Sequence, residues 1–407
     1  MIEYERAVSR ILAAVPTCVP ESVPIGEACG RIVCEKIISG GELPPFDNSA
    51  MDGYAVRAAD VAEARPEAPV RLRLLGRVAA GQTFTGELRA GGCVRVFTGS
   101  PLPRGADAVV MQEDTKAATK GSEEVLFLDG AKPWENVRLQ GEDVRKGVTL
   151  AKAGQPVTPG LLALLLATGC SAIKAGQRPV VGLLATGNEL VEPGLPLTGG
   201  QIHESNRWML AALIERAGAS HRVYPIVGDS LEATARAFRK AFSQCDCVVS
   251  SGGVSVGEMD FVKQAFEQIG GTLEFWKVAI RPGRPFVFGL LPPNGAKRAK
   301  FLFGLPGNPV SALVTFLLLV RPALLRWQGA THVDMPIQSG ILAEPLSNEG
   351  DRRHFLRVQS LPDGSVRPAG VQASHVLSAV AAANGLVDLQ PRTRLAAGAR
   401  VSVMRWE

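Results

Sequence analysis

The sequence CDCVVSSGGVSVGEMDF, residues 245–261, decides the architecture at the centre of this chain. Its apolar run Cys247-Val248-Val249 is typical of a buried strand in a parallel sheet. The small residues SSGG follow, and they allow a sharp turn and a close approach of the backbone to a ligand. Asp260 is expected to cap a helix that Gly270 ends. A strand, a small-residue loop and a helix N-terminus together present backbone N–H groups to a phosphate or similar anion.

Two interpretations of this stretch are open from its residues alone. In the first, the loop binds an anion, and the carboxylates of Glu258 and Asp260 hold a metal ion that bridges to it. In the second, the stretch is a glycine-rich turn followed by a helix cap. It matches neither the dinucleotide-binding fingerprint nor the P-loop, so the motif alone does not decide between them.

Length and composition limit the class of protein. The chain has 407 residues, of which 46% are hydrophobic, so roughly two to four domains are expected. The net charge of +5 comes without long runs of one sign, which argues against nucleic-acid and membrane partners but leaves anionic small molecules open. The cysteines lack zinc-site spacing, and the apolar segment 311–320 is too short to span a bilayer, so we expect a cytoplasmic protein.

The pattern of elements predicts an α/β multidomain chain with four domains. Residues 1–45 and 137–172 are expected to pack together as a split N-terminal domain. Short β runs over 46–136 predict an inserted small antiparallel or barrel-like β domain. Alternating strands and helices over 173–327 predict a central doubly wound α/β domain. The β-like runs over 328–407 predict a C-terminal β-barrel-like domain.

The α/β segment carries polar residues where its predicted strands end. Strands are predicted at 180–184, 223–227, 247–249, 273–278, 286–290 and 301–304. Ligands bind such sheets outside the carboxyl ends of the strands. The polar or small residues at these ends are Thr186, Glu189, Asp229, Ser250, Ser251, Gly252, Gly253 and Asp260. Their convergence predicts a ligand site at this edge.

Two further stretches have both a functional and a structural interpretation. Arg281 and Arg284 lie on the stiff turn RPGRP, which suits a tetrahedral oxyanion or phosphate but is also typical of a solvated basic turn. The sequence FDNSAMDGYAVR, residues 46–57, is either a polar loop or a binding edge.

Several long motifs resemble those of the molybdopterin molybdenumtransferase family, called MoeA in bacteria. They are PPFDNSAMDGYAVR (44–57), FTGSPLPRGADAVVMQED (97–114), GEDV (141–144), TGNEL (186–190), SNRWMLAALIERAGA (205–219), SSGGVSVGEMDF (250–261), FGLPGNPVSALVTF (303–316) and DRRHFLRV (351–358). The resemblance is collinear and covers nearly the whole chain. The α/β segment is also similar to molybdopterin adenylyltransferases and gephyrin-type scaffold proteins.

The resemblance implies a specific reaction. Enzymes of this family take adenylylated molybdopterin and hydrolyse its adenylate in a step that depends on a divalent metal and on molybdate. Molybdate is then coupled to the dithiolene, giving molybdenum cofactor and AMP. The expected cofactor is Mg²⁺, and the expected substrates are molybdate and adenylyl-molybdopterin. The residues fit this chemistry, because bound anions need basic donors and a metal that neutralises phosphate needs carboxylates.

The resemblance also implies roles for individual residues. The catalytic set is Asp52, Thr98, Asp143, Glu189, Asp229 and Asp260, of which Glu189, Asp229 and Asp260 would bind the metal. The residues expected to bind the pterin phosphate, the AMP end or molybdate are Ser251, Gly252, Gly253, Ser255, Arg281, Arg284, Pro306, Asn308, Arg352 and Ser374. Arg352 and Ser374 would form a further part of the molybdate site.

Two positions depart from the family pattern. The family's KPGKP is RPGRP here, which keeps the charge but changes its geometry. Its TGDEL is TGNEL here, so Asn188 removes one negative charge beside Glu189.

The resemblance further implies an L-shaped homodimer in which one chain's second domain reaches its partner's third domain. Asp52 and Asp260 would then belong to one shared site. The adenylyltransferase and cofactor-accepting enzymes would be protein partners.

Two other functions remain as alternatives. Molybdopterin adenylyltransferase shares the central fold, but the extra β domains and PPFDNSAMDGYA argue against it. That reaction consumes ATP, whereas the favoured one releases AMP. The second alternative is a non-enzymatic, gephyrin-like scaffold, against which the set of carboxylates argues.

Overall fold

The centre of the chain is a six-stranded mixed sheet. The computed structural model describes residues 1–118, 123–254, 261–293 and 298–406. Across the sheet the strands are Ser220–Val223, Val180–Ala185, Cys247–Ser251, Lys300–Leu305, Val287–Leu291 and Thr272–Trp276. The first four are parallel and the last two are antiparallel to their neighbours. The predicted α/β class is confirmed.

Helices cover both faces of this sheet. Asn206–Arg216 packs on one face, and Leu231–Gln244 and Val262–Gln268 pack on the other. Alternate side chains of one strand point to opposite faces, so Val249 lies in the first apolar cluster and Val248 in the second. The sheet is therefore buried on both sides, as its continuous apolar strands predict.

One strand of the sheet differs from its predicted position. The prediction placed a strand at 223–227, but the strand is Ser220–Val223. Pro225 interrupts the ladder because proline has no backbone N–H to donate. Val227 nevertheless donates to the carbonyl of Ala185 at 2.9 Å, so the chain still reaches the carboxyl edge.

The longest apolar helix is longer than predicted. It runs through Pro309–Thr315, a π-helical turn Phe316–Val320 and Arg321–Trp327, 19 residues in all. Its length and composition would suffice to cross a membrane, so the prediction that this segment is too short was wrong. Most of its apolar window, 83%, is buried inside the protein, which identifies a core helix.

Residues before 45 pair with residues after 137. The strands Pro20–Pro24 and Ala172–Gly176 are antiparallel, and Ile37–Ile38 pairs with Thr149–Ala151. The helix Pro159–Ala167 contributes Leu165 to the apolar cluster between them. These pairings agree with a split N-terminal unit, although the exact domain boundaries stay a prediction.

The inserted β segment forms a second six-stranded sheet. Its strands, in spatial order, are Ala108–Met111, Gly53–Val56, Gly92–Val96, Val70–Val78, Glu124–Phe127 and Thr115–Ala117. Val70–Val78 and Gly92–Val96 are parallel, so the sheet is mixed, not antiparallel throughout. The connection 79–91 is long enough to return the chain to the same end, as a parallel pair requires.

The C-terminal segment forms the predicted barrel. Five strands close into a ring: Arg353–Ser360, Ser365–Pro368, Ile337–Leu342, Arg400–Arg405 and Gly385–Leu389, which pairs back to the first. A short helix, Leu377–Ala382, lies beside it. Ile280–Arg281 joins this barrel by parallel pairing with Arg353 and His354, and so connects it to the α/β part.

Several short elements complete the described chain. They are the paired strands Asn48–Ser49 with Val137–Arg138, Leu190–Val191 with Ile202–His203, and Leu346–Asn348 with Thr393–Leu395, the helix Ala58–Val61, and the 3-10 turns Ile25–Glu27 and Gln112–Asp114.

The first helix, Tyr4–Ala14, joins the α/β part to the barrel. Its buried Ala7 and Ile11 belong to the core cluster of the central sheet. The ring of Tyr4 packs edge-on against Phe355 of the barrel, with centroids 5.4 Å apart. The first turn of the helix also supplies Glu5 to an ion pair with the barrel residue Arg353.

Candidate active site

A cavity of about 650 Å³ lies at the carboxyl edge of the central sheet. This volume suits a cofactor-sized ligand. The predicted site residues that line it are Glu189, Asp229, Ser251, Gly252, Gly253, Pro306 and Asn308. The barrel side contributes His375 and Leu377. The structure therefore brings together most of the α/β residues that the sequence singled out.

Three buried polar atoms belong to Thr186 and Asn206, which line the cavity, and to Ser250, which does not. Thr186 Oγ1, Ser250 Oγ and Asn206 Oδ1 have no hydrogen-bond partner in the described part of the chain. Their residues are 8%, 0% and 8% exposed, respectively. An unpaired buried polar group costs free energy, and these atoms are shielded by the residues of the cavity wall.

Asn206 is a residue that the site prediction missed. Its Nδ2 donates to Ser251 Oγ and to the carbonyl of Gly307, both at 2.7 Å, and so joins two loops of the cavity. It belongs to the quoted motif SNRWML, but a polar residue at a helix start is usually interpreted as a cap. Its burial was not evident from the sequence.

The two glycines of the loop are required by its close approach to a neighbouring strand end. Gly252 and Gly253 have φ angles of 88° and 65°. A Cβ at Gly252 would lie 2.7 Å from the carbonyl oxygen of Thr186, and one at Gly253 would lie 2.8 Å from Thr186 Oγ1. A larger residue would be strained and would push the loop off the sheet.

Asp229 is held by a reciprocal pair of hydrogen bonds. Its Oδ2 accepts from the backbone N–H of Asn188, and Asn188 Oδ1 accepts from the backbone N–H of Asp229, each at 3.0 Å. An amide oxygen makes the same bond that an aspartate would, so Asn188 keeps this geometry without the charge. Glu189 follows directly on the same wall.

The metal prediction is only partly visible in the structure. Ser255 and Asp260 lie outside the described residues. Asp260 is also the residue predicted to cap the following helix. Within the described part, no group of three or more His, Cys, Asp or Glu side chains is placed to hold a metal. Glu189 and Asp229 are the predicted ligands present at the cavity.

One wall of the cavity depends on a buried ion pair. Arg207 and Glu204 are 1% and 2% exposed, and Arg207 Nε donates to Glu204 Oε2 at 2.8 Å. Arg207 Nη2 donates to both carboxylate oxygens of Glu192 at 2.8 Å, and Nη1 donates to the carbonyl of Tyr224. Glu204 itself lines the cavity.

A basic cluster lies beside the cavity, at the junction with the barrel. Arg281 pairs with His354 across the parallel ladder, and Arg352 Nη1 donates to the carbonyl of Ile280 at 3.3 Å. Arg281, Arg284 and Arg352 are not among the lining residues of the cavity. Asn308, which does line it, donates to Ser374 Oγ at 3.0 Å and links the two regions.

The buried His354 is neutral in this environment. Burial, followed by the charges of Arg281, Arg357 and Arg352, lowers its pKa from 6.5 to about 4. Neither ring nitrogen has a hydrogen-bond partner in the described part of the chain.

Three predicted catalytic residues lie elsewhere in the same chain. Asp52 Oδ1 accepts from the backbone N–H and the hydroxyl of Thr98, both at 2.8 Å, and these bonds hold the pKa of Asp52 below its usual range. Asp143 lines a separate cavity of about 450 Å³ with Gly99 and Phe46. None of the three lines the first cavity.

The structure defines a multidomain α/β protein with a cavity at the carboxyl edge of its central sheet. Comparison with known families identifies three regions. Residues 2–169 match the MoeA N-terminal region (domain I and II), 182–326 match a probable molybdopterin binding domain, and 339–406 match the MoeA C-terminal region (domain IV).

Full-length relatives give the same result. The chain is 38% identical to a molybdopterin molybdenumtransferase of Haemophilus influenzae, over 99% of this chain and 98% of the relative. It is 34% identical to one of Bacillus subtilis, over 97% and 91%. A molybdopterin biosynthesis MoeA protein of Pyrococcus horikoshii superposes over all of both chains with a TM-score of 0.83 and 29% identity. The chain belongs to the MoeA family, and the predictions of this family and of a transferase are confirmed.

Replacing Arg207 with Met should destabilise the protein strongly. The change leaves the carboxylate of Glu204 buried without its cation, which typically costs about 3–5 kcal/mol. Urea denaturation followed by circular dichroism measures the loss. Arg239→Met, on the exposed face of Leu231–Gln244, is the matched control. Equal midpoints for the two variants would contradict the structural role of Arg207.

His354 should make the protein less stable in mild acid. Its folded pKa of about 4 lies below its unfolded value of 6.5, so between these pH values the unfolded chain binds the proton more tightly. The free energy of unfolding should therefore fall as the pH drops from 6.5 towards 4, by up to roughly 1.4 kcal/mol per pH unit from this group. His354→Gln should reduce that slope. The exposed His332→Gln should retain it, and a slope shared by all three proteins would contradict the prediction.

Proposed function

We propose that this protein inserts molybdenum into adenylylated molybdopterin, with hydrolysis of the adenylate and release of AMP, to give molybdenum cofactor. The observation that carries this proposal is the cavity itself. It combines two carboxylates, Glu189 and Asp229, with a glycine loop and unpaired buried polar atoms, and it adjoins a cluster of arginines. The names of the full-length relatives support the substrate assignment.

In this proposal the α/β cavity holds the pterin phosphate and the AMP end. Gly252 and Gly253 allow the backbone to approach the ligand, and Thr186 and Asn206 line the same wall. Pro306 and Asn308 shape the opposite wall.

Glu189 and Asp229, with Asp260, are the residues proposed to bind Mg²⁺. Carboxylate oxygens are the ligands that this ion prefers, so the described pair fits it. When bound, Mg²⁺ would neutralise phosphate charge as the adenylate leaves. The Asn188 hydrogen bond fixes one oxygen of Asp229 and so orients the carboxylate.

Molybdate is proposed to bind at the junction of the α/β part and the barrel. Arg281, Arg284 and Arg352 supply positive charge, and Ser374 supplies a hydroxyl. The contact between Asn308 and Ser374 supports a molybdate site next to the cavity, where the two substrates would meet.

The remaining catalytic residues are proposed to come from a second copy of the chain. Asp52, Thr98 and Asp143 lie away from the first cavity within one chain, which agrees with a homodimer whose site is shared. The protein is proposed to work in the cytoplasm, with the adenylyltransferase and cofactor-accepting enzymes as partners.

Asp229→Asn should nearly abolish AMP release from adenylyl-molybdopterin in the presence of Mg²⁺ and molybdate. The amide keeps the size of the side chain but removes a charged metal ligand. The wild-type protein should release AMP only when both ions are present. Glu232→Gln, exposed on the next helix, is the control and should behave as wild type. Unchanged turnover of Asp229→Asn at saturating Mg²⁺ would remove Asp229 from this role.

Two inactive variants should complement each other if the site is shared between chains. In a mixed dimer of Asp52→Ala and Asp229→Ala chains, one site carries both changes and the other carries neither. Random reassembly should then restore about a quarter of wild-type AMP release. Light scattering and mass spectrometry would confirm mixed dimers. If mixed dimers form and activity does not return, both residues serve the same chain's site.

A further inference from the structure

A tryptophan at the edge of the central sheet lies next to the cavity wall. Trp276 is the last residue of the edge strand Thr272–Trp276. This strand is antiparallel to Val287–Leu291, which is itself antiparallel to Lys300–Leu305, so it runs in the same direction as the parallel strands. Its last residue therefore lies at the carboxyl edge of the sheet, as the cavity does.

The indole of Trp276 is hydrogen-bonded to the loop that lines this cavity. Its Nε1 donates to the carbonyl of Val254 at 3.1 Å. Val254 directly follows Gly252 and Gly253, lines the cavity with them, and is 2% exposed. Two other strands separate Trp276 from the strand that carries this loop. The bond therefore fixes the end of the glycine loop from the far side of the sheet.

Two ammonium groups hold the indole in place. The Nζ atom of Lys263 lies 3.5 Å from the ring centroid of Trp276, and the Nζ atom of Lys277 lies 3.6 Å from it. Two cations this close to one ring must lie on opposite faces, because on the same face they would collide. Cation–π attraction then restrains the indole from both sides.

The backbone of Lys277 adopts a conformation that is uncommon for a residue with a side chain. Its φ angle is 69°, in the left-handed region. Its N–H donates to the carbonyl of Phe286 at 3.0 Å, and its carbonyl accepts from the N–H of Ile2 at 2.9 Å. These bonds maintain a turn directly after Trp276, and the turn brings the ammonium group back over the preceding ring.

Trp276 contacts both sides of one segment of the loop. Val254 precedes residues 255–260, which lie outside the described part of the chain, and the helix Val262–Gln268 follows them. The indole N–H bonds to Val254, and the face of the same ring packs against Lys263 in the first turn of the helix. One side chain therefore sets the spacing between the glycine loop and this helix.

We propose that Trp276 is a positioning residue, which holds the glycine loop and the start of the following helix at the spacing at which the cavity binds the adenylate end of its substrate. Lys263 and Lys277 act through Trp276, because they fix its indole. This inference rests on the proposed function, since it takes AMP as a ligand of the loop. Among the described lining residues, Val254 is the one through which Trp276 acts.

Amide hydrogen exchange and AMP binding test the inference separately. Exchange in peptides covering 250–254 and 262–266, measured without ligand, reports how firmly the loop and the helix are held. Isothermal titration calorimetry with AMP and Mg²⁺ gives the Kd. Indole fluorescence shows whether Trp276 senses the bound nucleotide.

The variants separate the hydrogen bond from the stacking. Trp276→Phe keeps an aromatic ring for the lysines but removes the donor to Val254. Lys263→Met keeps the apolar stem but removes the charge over the ring. Trp406→Phe is the matched control, because Trp406 is also half-buried but lines a separate cavity of about 270 Å³.

Trp276→Phe should speed amide exchange in 250–254 and raise the Kd for AMP by about threefold to tenfold, the size expected for one lost hydrogen bond. Lys263→Met should speed exchange in both peptides and raise the Kd less, because the hydrogen bond remains. Binding of AMP should change the fluorescence of the wild-type protein and of Trp406→Phe. That change should be lost in Trp276→Phe.

Kinetics distinguish positioning from a loss of folded protein. The bond from Trp276 to Val254 is present before and during the reaction, so Trp276→Phe should raise KM and change kcat by less than about twofold. A merely structural role would reduce the active fraction, which lowers the apparent kcat and leaves KM unchanged.

Wild-type exchange in 250–254 for folded Trp276→Phe would overturn the inference, and so would an unchanged Kd for AMP. If that variant does not fold, Lys263→Met decides, and wild-type exchange in both of its peptides would overturn the inference. If the wild-type protein binds no AMP while exchange changes as expected, the proposed function is contradicted and the role of Trp276 in holding the loop stands.

Discussion

The buried charge of Arg207 is the constraint on which much of the candidate site depends. A desolvated guanidinium is tolerated only when its donors are satisfied, and Arg207 satisfies them with Glu204, Glu192 and the carbonyl of Tyr224. These partners come from three separate stretches around the edge of the sheet. A shift of any one stretch would leave a buried donor of Arg207 without its acceptor, so this network fixes the cavity wall and the neighbouring Asn206 together.

Local sequence patterns predicted individual strands better than they predicted which strands pair with each other. The strand Cys247–Ser251 and its loop were predictable, because an apolar run between turn residues has few alternatives. The strand at Ser220–Val223 was misplaced because an apolar pattern continues beyond it through Pro225. The parallel pairing of Val70–Val78 with Gly92–Val96 was missed, since register between distant strands depends on contacts that a short window does not contain.

Some residues of the candidate site were predictable from local sequence patterns and others were not. Glu189 and Asp229 were predictable as neighbours because parallel strands end at a common edge. Arg207 was not, because a charged residue on a helix is usually exposed, and its burial depends on Glu192 and Glu204 folding over it. The family resemblance supplied Asp52, which ordinary loop patterning does not distinguish from a turn residue. Its separation from the first cavity could be seen only once the chain was folded.

The helix Tyr4–Ala14 has a consequence for how the protein is made. Its Ala7 and Ile11 complete an apolar cluster that also contains Val181, and its Tyr4 packs against Phe355. The helix thus finds its last partners only after the much later barrel segment that contains Phe355 has been synthesised. Until then the apolar face of the helix stays without its native cover, which is the situation that holding chaperones relieve. The central α/β segment, if excised alone, would likewise lack part of its core.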